Sequence, residues 1–431
     1  MKRFYICFVL LLPLLSNAQT TLTLKNAIDS ALKNNLDIQI ARNYVEIARV
    51  SNNYGMAGGL PSINAGAGDN MQLNSLSQKY SDGTETEISG VLGNSINAEI
   101  SADIVLFNGF KVLATKKRLN LLQKQTEIEL NGEIQDIIAA VMIKYYDIIR
   151  QQNYLRIIQS MLDVSVKKLD IVNEKNKVGM ANSVDIMQAQ SDVNIAQQNY
   201  AVQQLVIDQS KADLLLLMNT KARSQNIIDD SIVIDNKLVL DSINNYLKHN
   251  PQILSAEQQI KISEQIVKET AAQRYPSLKL NTAYNFGRTD NNSGYTLLSQ
   301  NYGPSAGLTL QVPIFNGNKY RTQKIVAGIN VNNAKLEKES LTNSIETAAL
   351  KKYLAYSTAL KQIDSQKENF SLAKKLVALV LQNFQYGQAT ILDVKTAQAS
   401  YENAAYQLIN YQYLAKVSEI ELKQLIYQLS Y

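Results

Sequence analysis

Four short segments of the chain alternate apolar and polar side chains with a period of two, which is typical of β-strands with two different faces. In the second segment, Ile96, Ala98 and Ile100 alternate with Asn97 and Glu99. The four segments lie at 63–73, 96–102, 278–286 and 306–314. They form two predicted β-hairpins with polar loops at 77–90 and 288–301. Each is about as long as a strand that crosses a bilayer, with one face towards lipid and one towards water. A half-buried sheet in water shows the same alternation, so both interpretations stay open at this point.

Two much longer segments lack prolines and turn residues, and we predict one long helix in each. They run from Phe110 to about Lys175 and from Lys319 to about Asn383. At 1.5 Å per residue, about 65 residues make a helix of roughly 100 Å, which is longer than an ordinary domain core requires. Each long helix then reaches a glycine and a returning helix, which we place at 183–218 after Gly179 and at 390–427 after Gly387.

The apolar residues of these helices recur every 3.5 residues, which predicts antiparallel coiled-coil hairpins. The seam of the first long helix comprises Leu155, Ile158, Leu162, Leu169 and Val172. The seam of the second comprises Ile363, Phe370, Ala373, Val377 and Val380. Because the other positions are mostly polar, each hairpin is expected to be apolar only along narrow stripes.

This order of elements occurs twice, so we predict one architecture built from two similar halves. We place the first repeat at 19–218 and the second at 242–431, joined by a linker at 219–241. Each repeat begins with helices, continues with a β-hairpin and ends with a helical hairpin. The β-hairpins are placed at 62–107 and 277–315, and the helical hairpins at 110–218 and 318–427.

The first residues have the pattern of an export signal. Lys2 and Arg3 precede an apolar run at 4–15, and small residues at 16–18 form a cleavage site before Gln19. We therefore expect a signal peptide at 1–18. Cys7 is the only cysteine and lies inside this segment, so the mature chain would carry no disulfide and no thiol chemistry.

The charge and hydropathy of the sequence argue against a nucleic-acid-binding protein and against a transmembrane helix. The chain has 43 basic and 38 acidic residues and no basic run interleaved with aromatics, so we expect no nucleic-acid partner. No later stretch approaches about 18 consecutive apolar residues, so the sequence predicts no transmembrane helix. An exported chain of this kind enters a membrane only as strands. Four strands cannot close a barrel, and an open edge is unstable in hydrocarbon, so a membrane interpretation requires several chains to share one barrel.

Three sequence motifs occur in both halves of the chain. Leu60-Pro61-Ser62 and Tyr275-Pro276-Ser277 precede the first strand of each half. Leu106-Phe107-Asn108-Gly109 and Val312-Pro313-Ile314-Phe315-Asn316-Gly317 end the second strand. Gly179-x5-Asp185-x3-Ala189-Gln190 and Gly387-x5-Asp393-x3-Ala397-Gln398 stand at the hairpin turns. Each motif alone is weak, but all three are duplicated in the same order over essentially the whole mature chain. The chain therefore resembles the TolC-type family of outer-membrane efflux proteins, also called outer-membrane factors.

The resemblance implies a fold that is mainly helical with membrane β-strands. Four strands per chain would contribute to a 12-stranded barrel in a homotrimer, and the helical hairpins would continue it as a periplasmic tunnel. The segment at 219–241 would belong to a belt around the tunnel. The implied partners are outer-membrane lipid, a periplasmic adaptor and an inner-membrane pump of the RND, ABC or MFS type. The implied function is a passive conduit, in a tripartite efflux pump or a type I secretion system, in the outer membrane of a Gram-negative bacterium.

The resemblance also assigns roles to the hairpin ends. It implies that the adaptor contacts Val178, Gly179 and Met180 in the first half, and Tyr386, Gly387 and Gln388 in the second. A simpler interpretation is that each glycine ends its helix, and the two interpretations are compatible.

Two carboxylates near these ends have two possible roles. The resemblance implies that Asp393, and less directly Asp185, line a periplasmic gate as rings of negative charge. However, Asn182-x-x-Asp185 and Thr390-x-x-Asp393 also have the spacing of helix-capping pairs, which alone would explain both acids. Where the family often has a second acid one turn later, this chain has Thr396.

The strand–helix junctions have residues suited to a change of direction. Pro61 and Pro276 are expected to stop the preceding helix, because the residue before a proline avoids the helical region. Gly109 and Gly317 are expected to provide backbone freedom where a strand turns into a long helix.

An enzyme is not expected. The mature chain would have one histidine, His249, and no cysteine, which leaves almost nothing for metal sites or nucleophile systems that use these residues. We accordingly predict no catalytic residue, metal or cofactor. The alternative functions are a periplasmic adaptor and a structural coiled-coil protein of the cell envelope. Neither of them explains two helical hairpins together with four two-faced strands.

Overall fold

The structure is a computed structural model that describes residues 22–220, 231–294 and 296–429. The expected signal peptide and part of the linker, 221–230, lie outside the described residues. The chain divides into two units. The strand unit comprises Ala41–Asn131 and Pro251–Asn343. The hairpin unit comprises the described parts of 1–40, 132–250 and 344–431.

The strand unit contains one antiparallel sheet of four strands in the order β1-β2-β3-β4. The strands are β1 Ser62–Lys79, β2 Glu85–Asn108, β3 Ser277–Asn291 and β4 Leu298–Gln311. Asn108 pairs with Ser277 and Ser277 pairs with Gln311, so the strand ends next to the long helices lie together at one end of the sheet. The other side of β1 and of β4 has no strand partner within the described part of the chain.

The strands are longer than the alternation predicts. The predicted loop at 77–90 is mostly strand, and only residues 80–84 separate β1 from β2. Likewise, the loop at 288–301 shortens to 292–297. The period of two is interrupted by an irregular register between Asn74 and Leu76, and polar residues follow. Backbone pairing does not depend on side-chain polarity, so the ladder continues where the pattern is lost.

The end of β4 is also corrected. The strand predicted at 306–314 ends at Gln311, so Val312–Phe315 of the proposed hairpin lie outside it. Pro313 lacks a backbone N–H and cannot donate to the ladder, which accounts for the earlier end.

The long helices agree closely with the sequence prediction. They are α3 Lys111–Lys177 and α7 Lys319–Gln385, with 67 residues each. The returning helices are α4 Ser183–Leu217 and α8 Ile391–Leu425, with 35 residues each. The shorter helices are α1 Leu24–Asn34, α2 Leu36–Ser51, α5 Leu240–Tyr246 and α6 Pro251–Ala272. A 3₁₀ turn at Leu247–His249 lies between α5 and α6. Among the helices described, none has a stretch apolar enough to cross a membrane. The predicted fold class, mainly helical with four strands, is confirmed.

The role expected for Pro61 is wrong. Helix α2 ends at Ser51, well before Pro61, and a turn follows at 54–58. Asn53 directs this turn, because its side chain accepts a hydrogen bond from the N–H of Met56 at 2.9 Å and Gly58 adopts a positive φ of 75°. Pro61 therefore precedes β1 without ending a helix. In the second half α6 ends at Ala272, closer to Pro276.

The seam predicted for α3 is displaced by one position over part of its length. Leu155, Leu162 and Leu169 are only half-buried, whereas Ile158 and Val172 are buried as expected. The buried positions between those two are Met161, Ser165 and Lys168. The reason is that α3 packs on more than one neighbour. Met161 lies in a buried cluster with Ala373 and Val377 of α7 and Ala397 and Tyr401 of α8. Val172 lies in a cluster that also includes Ala189 of α4, together with Phe384 of α7 and Val394 of α8.

Candidate functional site

The turn of the first helical hairpin is a helix cap built on Gly179. Gly179 has a φ of 78° and donates its N–H to the carbonyl of Asn176 at 3.0 Å. The N–H of Met180 donates to the carbonyl of Lys175 at 2.8 Å. This pair of bonds is the Schellman arrangement, which requires a left-handed residue that glycine adopts without strain.

The second hairpin repeats this geometry. Gly387 has a φ of 80°, its N–H donates to the carbonyl of Phe384 at 3.2 Å, and the N–H of Gln388 donates to the carbonyl of Asn383 at 2.8 Å. The expectation that each glycine ends its helix is therefore confirmed. No neighbouring atom would obstruct a Cβ at either glycine, so conformation and not space selects glycine here.

The side chains around these caps are exposed and largely apolar. Val178, Met180 and Tyr386 are each about two-thirds exposed or more, and Gln388 is exposed beside them. Apolar side chains mark an interaction surface where they form a contiguous exposed patch, whereas single exposed apolar residues are common.

Both candidate gate acids take part in capping boxes. Asp185 accepts the N–H of Asn182 at 3.0 Å, and the Asn182 side chain accepts the N–H of Asp185 at 3.0 Å. Asp393 accepts the N–H and the hydroxyl of Thr390 at 2.8 and 2.7 Å. The backbone N–H of Thr390, followed by its hydroxyl, lowers the pKa of Asp393. The capping interpretation is thus confirmed for both acids. Asp393 remains exposed, so it stays charged at neutral pH and is accessible to solvent.

A group of charged residues lies further along the helices from the hairpin ends, and we call it the Asp192 cluster. Asp192 of α4 accepts a hydrogen bond from Lys168 of α3 at 2.5 Å and one from Lys395 of α8 at 3.3 Å. The Lys168 side chain is 0% exposed, whereas that of Lys395 is 53% exposed. Nearby, the amide of Gln398 on α8 donates to the hydroxyl of Ser165 on α3 at 3.1 Å. These contacts join the second helical hairpin to both helices of the first.

A second tie between the hairpins lies closer to their ends. The ammonium of Lys175 on α3 donates to the carbonyl of Phe384 on α7. It also lies 4.2 Å from the centre of the Phe384 ring, within the range of a cation–π contact. Because that carbonyl belongs to the last turn of α7, the lysine also suits the negative end of the helix dipole.

The described end of the linker is held by a third charged group. The carboxylate of the buried Glu419 accepts hydrogen bonds from Lys416, from Lys423 and from the N–H of Asp235. Asp235 also accepts a bond from Lys423 at 3.0 Å, which lowers the pKa of Asp235. Burial opposes the charge of Lys423, but its bonds to Glu419 and Asp235 outweigh burial and raise its pKa. The Tyr356 hydroxyl donates to the carbonyl of Asp235.

The strand–helix junctions use positive φ at two successive residues. Gly109 and Phe110 have φ of 67° and 65°, and Gly317 and Asn318 have φ of 64° and 62°. A Cβ on Gly109 would lie 2.6 Å from the carbonyl oxygen of Ala272, whereas one on Gly317 would meet nothing within 4 Å. The backbone freedom expected of both glycines is used, and Gly109 additionally permits a close approach.

The Asp192 cluster was missed in the sequence because its lysine occupies a core position. Lys168 follows Met161 and Ser165 at the three-and-four spacing of a coiled-coil seam. A lysine at that position is the available signal, since an isolated charge in a seam requires a counter-charge nearby. The identity of its partner could not be read, because Asp192 lies on another helix.

The duplicated arrangement of sheet, long hairpins and capped turns corresponds to a recognised family. The chain matches the profile of the outer membrane efflux protein family over residues 27–220 and 242–426. The chain belongs to the outer membrane efflux protein family. The resemblance drawn from the three duplicated motifs is thereby confirmed.

Individual relatives of this efflux protein cover most of its length. It is 24% identical to the solvent efflux pump outer membrane protein SrpC of Pseudomonas putida, over 92% of this chain and 83% of SrpC. It is 19% identical to the outer membrane protein TolC of Escherichia coli, over 80% of this chain and 71% of TolC. The crystal structure of the CmeC outer membrane channel of Campylobacter jejuni matches with a TM-score of 0.76 and 17% identity. That match covers 94% of this chain and 85% of CmeC.

These matches establish the cellular location and the fold of the chain. It is an efflux protein of the outer membrane, and it has the fold of the outer membrane channels. The family and its structural neighbours are channel proteins.

Proposed function

We propose that three copies of this chain form one outer-membrane channel that continues into the periplasm as a helical tunnel. The channel is a passive conduit of a tripartite efflux pump. A periplasmic adaptor opens it, and an inner-membrane pump of the RND, ABC or MFS type supplies the energy. Cargo of a type I secretion system would use the same path. The observation that carries this proposal is the open four-stranded sheet.

Within the described part of the chain, the sheet has two unpaired edges, and the strands at these edges are largely exposed. β1 and β4 are its edge strands, and nearly every residue of both is exposed in the single chain. A membrane sheet with free edges leaves backbone donors and acceptors without partners in hydrocarbon. Pairing β1 of one copy with β4 of the next removes both edges, and twelve strands then close a barrel.

The hairpin unit has two exposed apolar stripes whose positions match. α4 carries Met187, Ile195 and Val202, and α7 carries Leu372 and Leu379, with Tyr386 directly after its end. All six side chains are exposed. Ala189 and Phe384 pack in one cluster and so lie at one height along the hairpins. Positions along the hairpin axis can be counted from these two residues at 1.5 Å per residue. Three pairs then lie at the same height to within about one residue: Met187 with Tyr386, Ile195 with Leu379, and Val202 with Leu372. A rotation axis parallel to the hairpins preserves these heights.

The strand unit has a second pair of such stripes. α2 exposes Tyr44, Ile47 and Val50, and the first part of α7 exposes Ile325, Ile329 and Leu336. Both units therefore expose apolar stripes that contact with another chain would bury. A head-to-tail ring of identical chains covers all of them, because each copy presents α7 to the α2 and α4 of its neighbour.

A cross-linking experiment tests this arrangement. Ile195→Cys and Leu379→Cys together, in a chain with Cys7→Ser, should form covalent trimers on oxidation in outer membranes. Neither single variant should do so. The control pair Ile195→Cys and Leu354→Cys places the thiols about 37 Å apart along the helices and should remain monomeric under denaturing conditions. Cross-linked dimers without trimers, or equal cross-linking of the control pair, would contradict a closed three-fold ring.

The hairpin ends are the proposed periplasmic gate and adaptor contact. Three-fold symmetry would gather three exposed Asp393 carboxylates into a ring that favours cations. The adaptor would contact the exposed groups at Val178–Met180 and Tyr386–Gln388. Opening would separate the second hairpin from the first, against the ties at Lys395 and Lys175.

Ion selectivity in planar bilayers separates gating from capping for Asp393. Asp393→Asn should lower the cation preference of the purified channel, because it removes three charges from the ring. Thr390→Ala removes the cap without changing charge, so it should leave the selectivity unaltered. If both variants change selectivity equally, Asp393 acts only through the helix end. Asp185→Asn should have the smaller effect, since Asp185 is half-buried.

The division of the chain is part of the proposal. The signal peptide at 1–18 is removed on export, and two repeats at 19–218 and 242–431 flank the linker at 219–241. The mass of the protein from outer membranes should correspond to a chain that begins at Gln19. A mass that includes the first 18 residues would contradict cleavage at this site.

A further inference from the structure

The charge of the strand unit differs sharply between the two ends of its sheet. At the end of the sheet next to the long helices, the adjoining chain segments are 47–61, 109–123, 262–276 and 312–326. They contain ten basic residues, which are Arg49, Lys111, Lys116, Lys117, Arg118, Lys268, Arg274, Lys319, Arg321 and Lys324. They contain only two acidic residues, Glu264 and Glu269. At the opposite end, 77–90 and 288–301 contain two basic and four acidic residues.

Most of the excess positive charge has no internal partner. Arg118 pairs with Glu269 at 2.7 Å, and Lys116 donates to Asn52 at 2.6 Å. Arg49 pairs with Glu46 at 2.5 Å. The seven other basic residues are exposed and form no ion pair within the described part of the chain. This set, which we call the basic collar, comprises Lys111, Lys117, Lys268, Arg274, Lys319, Arg321 and Lys324.

Exposed aromatic rings stand at the same end of the sheet, beside the basic collar. Phe110 is 66% exposed and Phe315 is 80% exposed, and Tyr275 is exposed between them in sequence. Phe110 directly precedes Lys111, and its φ of 65° is rare for a bulky residue. Its ring packs edge-on against Phe107 at 5.3 Å. A strained backbone that presents an aromatic ring to the outside is the kind of outlier that accompanies a functional contact.

Aromatic rings next to basic residues are the combination that proteins place at a membrane surface. The rings lie at the boundary between headgroups and acyl chains, and long basic side chains reach outwards to the phosphates. We propose that the basic collar and these aromatic rings bind anionic phospholipid headgroups of the periplasmic leaflet. This inference rests on the proposed function, in which the sheet crosses the outer membrane.

The direction of the charges favours lipid over a binding ring inside the channel. At about 100° per residue, Lys111 and Lys117 point about 120° apart on α3, and Lys319 and Arg321 about 160° apart on α7. A selectivity ring would place these charges on one face of each helix. The residues of the basic collar instead point in different directions around each helix. Some of them therefore point away from the channel lumen.

The test measures how much phosphatidylglycerol the purified full chain retains in mixed micelles, by native mass spectrometry, with phosphatidylcholine as the neutral comparison. The test variant combines Lys111→Gln, Arg274→Gln, Lys319→Gln and Arg321→Gln. The matched control removes the same charge from exposed positions of the hairpin unit, with Lys361→Gln, Lys367→Gln, Lys374→Gln and Lys375→Gln. A charge-conserving variant exchanges lysine and arginine at the four test positions.

Each basic residue near an anionic membrane contributes a factor of about five to binding, so after partial screening we expect at least about tenfold weaker phosphatidylglycerol retention in the test variant. The matched control and the charge-conserving variant should retain the lipid like the unchanged protein. Retention by the unchanged protein should fall as NaCl rises from about 0.05 M to about 0.5 M, because the Debye length shortens. Inorganic phosphate at equal concentration should not displace the lipid, because it has no acyl chain for the rings.

Equal retention by the test variant and the matched control overturns the inference, and so does retention that is independent of salt. A test variant that keeps the lipid but changes the anion selectivity of the channel also overturns it, and places the collar in the lumen. These outcomes are separate from the proposed function. Failure of the inference leaves trimer formation and conductance intact, whereas failure of the channel proposal appears as a missing trimer in the unchanged protein.

Discussion

The Asp192 cluster makes the sharpest prediction about stability. Replacing Asp192 with alanine removes the only carboxylate that pairs with Lys168 within the described part of the chain. Because the Lys168 side chain is 0% exposed, its ammonium would remain buried without a counter-charge. Breaking a buried pair by removing one partner costs about 3–5 kcal/mol, and we expect Asp192→Ala to destabilise the hairpin unit by that amount.

Two companion variants separate charge from packing. Lys395 contacts the other oxygen of Asp192 at 3.3 Å but is 53% exposed, so Lys395→Ala should cost less than about 1 kcal/mol. Replacing both buried partners by apolar residues, as Lys168→Met with Asp192→Leu, removes the charge and fills the space. We expect this double variant to be nearly neutral, because apolar replacement of a buried ion pair often is.

Hydrogen exchange measured by mass spectrometry in detergent provides the assay. Peptides from 160–200 report on the cluster, and peptides from β1 and β2 serve as an internal reference in the strand unit. A loss of about 3 kcal/mol raises the open population roughly 150-fold, which is a large change in protection. The reasoning is refuted if Asp192→Ala exchanges like Lys395→Ala. It is also refuted if the double variant exchanges as fast as Asp192→Ala, since packing would then account for the loss.

Two further predictions concern the junctions and the linker. Gly109→Ala should destabilise the protein by about 2–5 kcal/mol, because a left-handed alanine costs about 1–2 kcal/mol and its Cβ also meets the Ala272 carbonyl. Gly317→Ala has only the first cost, so equal thermal shifts for the two variants would argue against the close approach. The lowered pKa of Asp235 stabilises the docked linker at neutral pH, and this stability is lost as the pH falls through a value below the ordinary 3.8. The raised pKa of Lys423 means that its protonated form also stabilises the docked linker. This contribution is complete below the ordinary pKa of 10.5 and is lost as the pH rises above it. Fluorescence of a tryptophan introduced at Val233, in a chain with no other tryptophan, should change at both extremes and remain constant between them.

The elements themselves could be predicted because their signals are local. A period of two in the strands and a period of 3.5 in the helices follow from the geometry of the backbone, and each is visible within about ten residues. The helix ends were equally readable, since Gly179 and Gly387 provide the left-handed residue that a Schellman cap requires. The capping pairs at Asp185 and Asp393 could be read for the same reason: donor and acceptor lie three residues apart.

Other features depended on neighbours that are distant in sequence. The turn at Asn53 ended α2 before Pro61, and the strand ladder continued beyond the alternating segments because a paired backbone is indifferent to side-chain polarity. The buried stripe of α3 moved because this helix packs on α4 as well as on α7 and α8.

The sequence by itself therefore determined the strands, the long hairpins, their capped ends and the family, since all of these are encoded by residue spacing within one element. Only the tertiary structure decided that Lys168 is buried, that Asp192 neutralises it and that the basic collar gathers at one end of the sheet. The physical reason is that burial and charge pairing depend on which surfaces meet. Residues from separate helices and strands make those contacts, and no spacing along the chain records them.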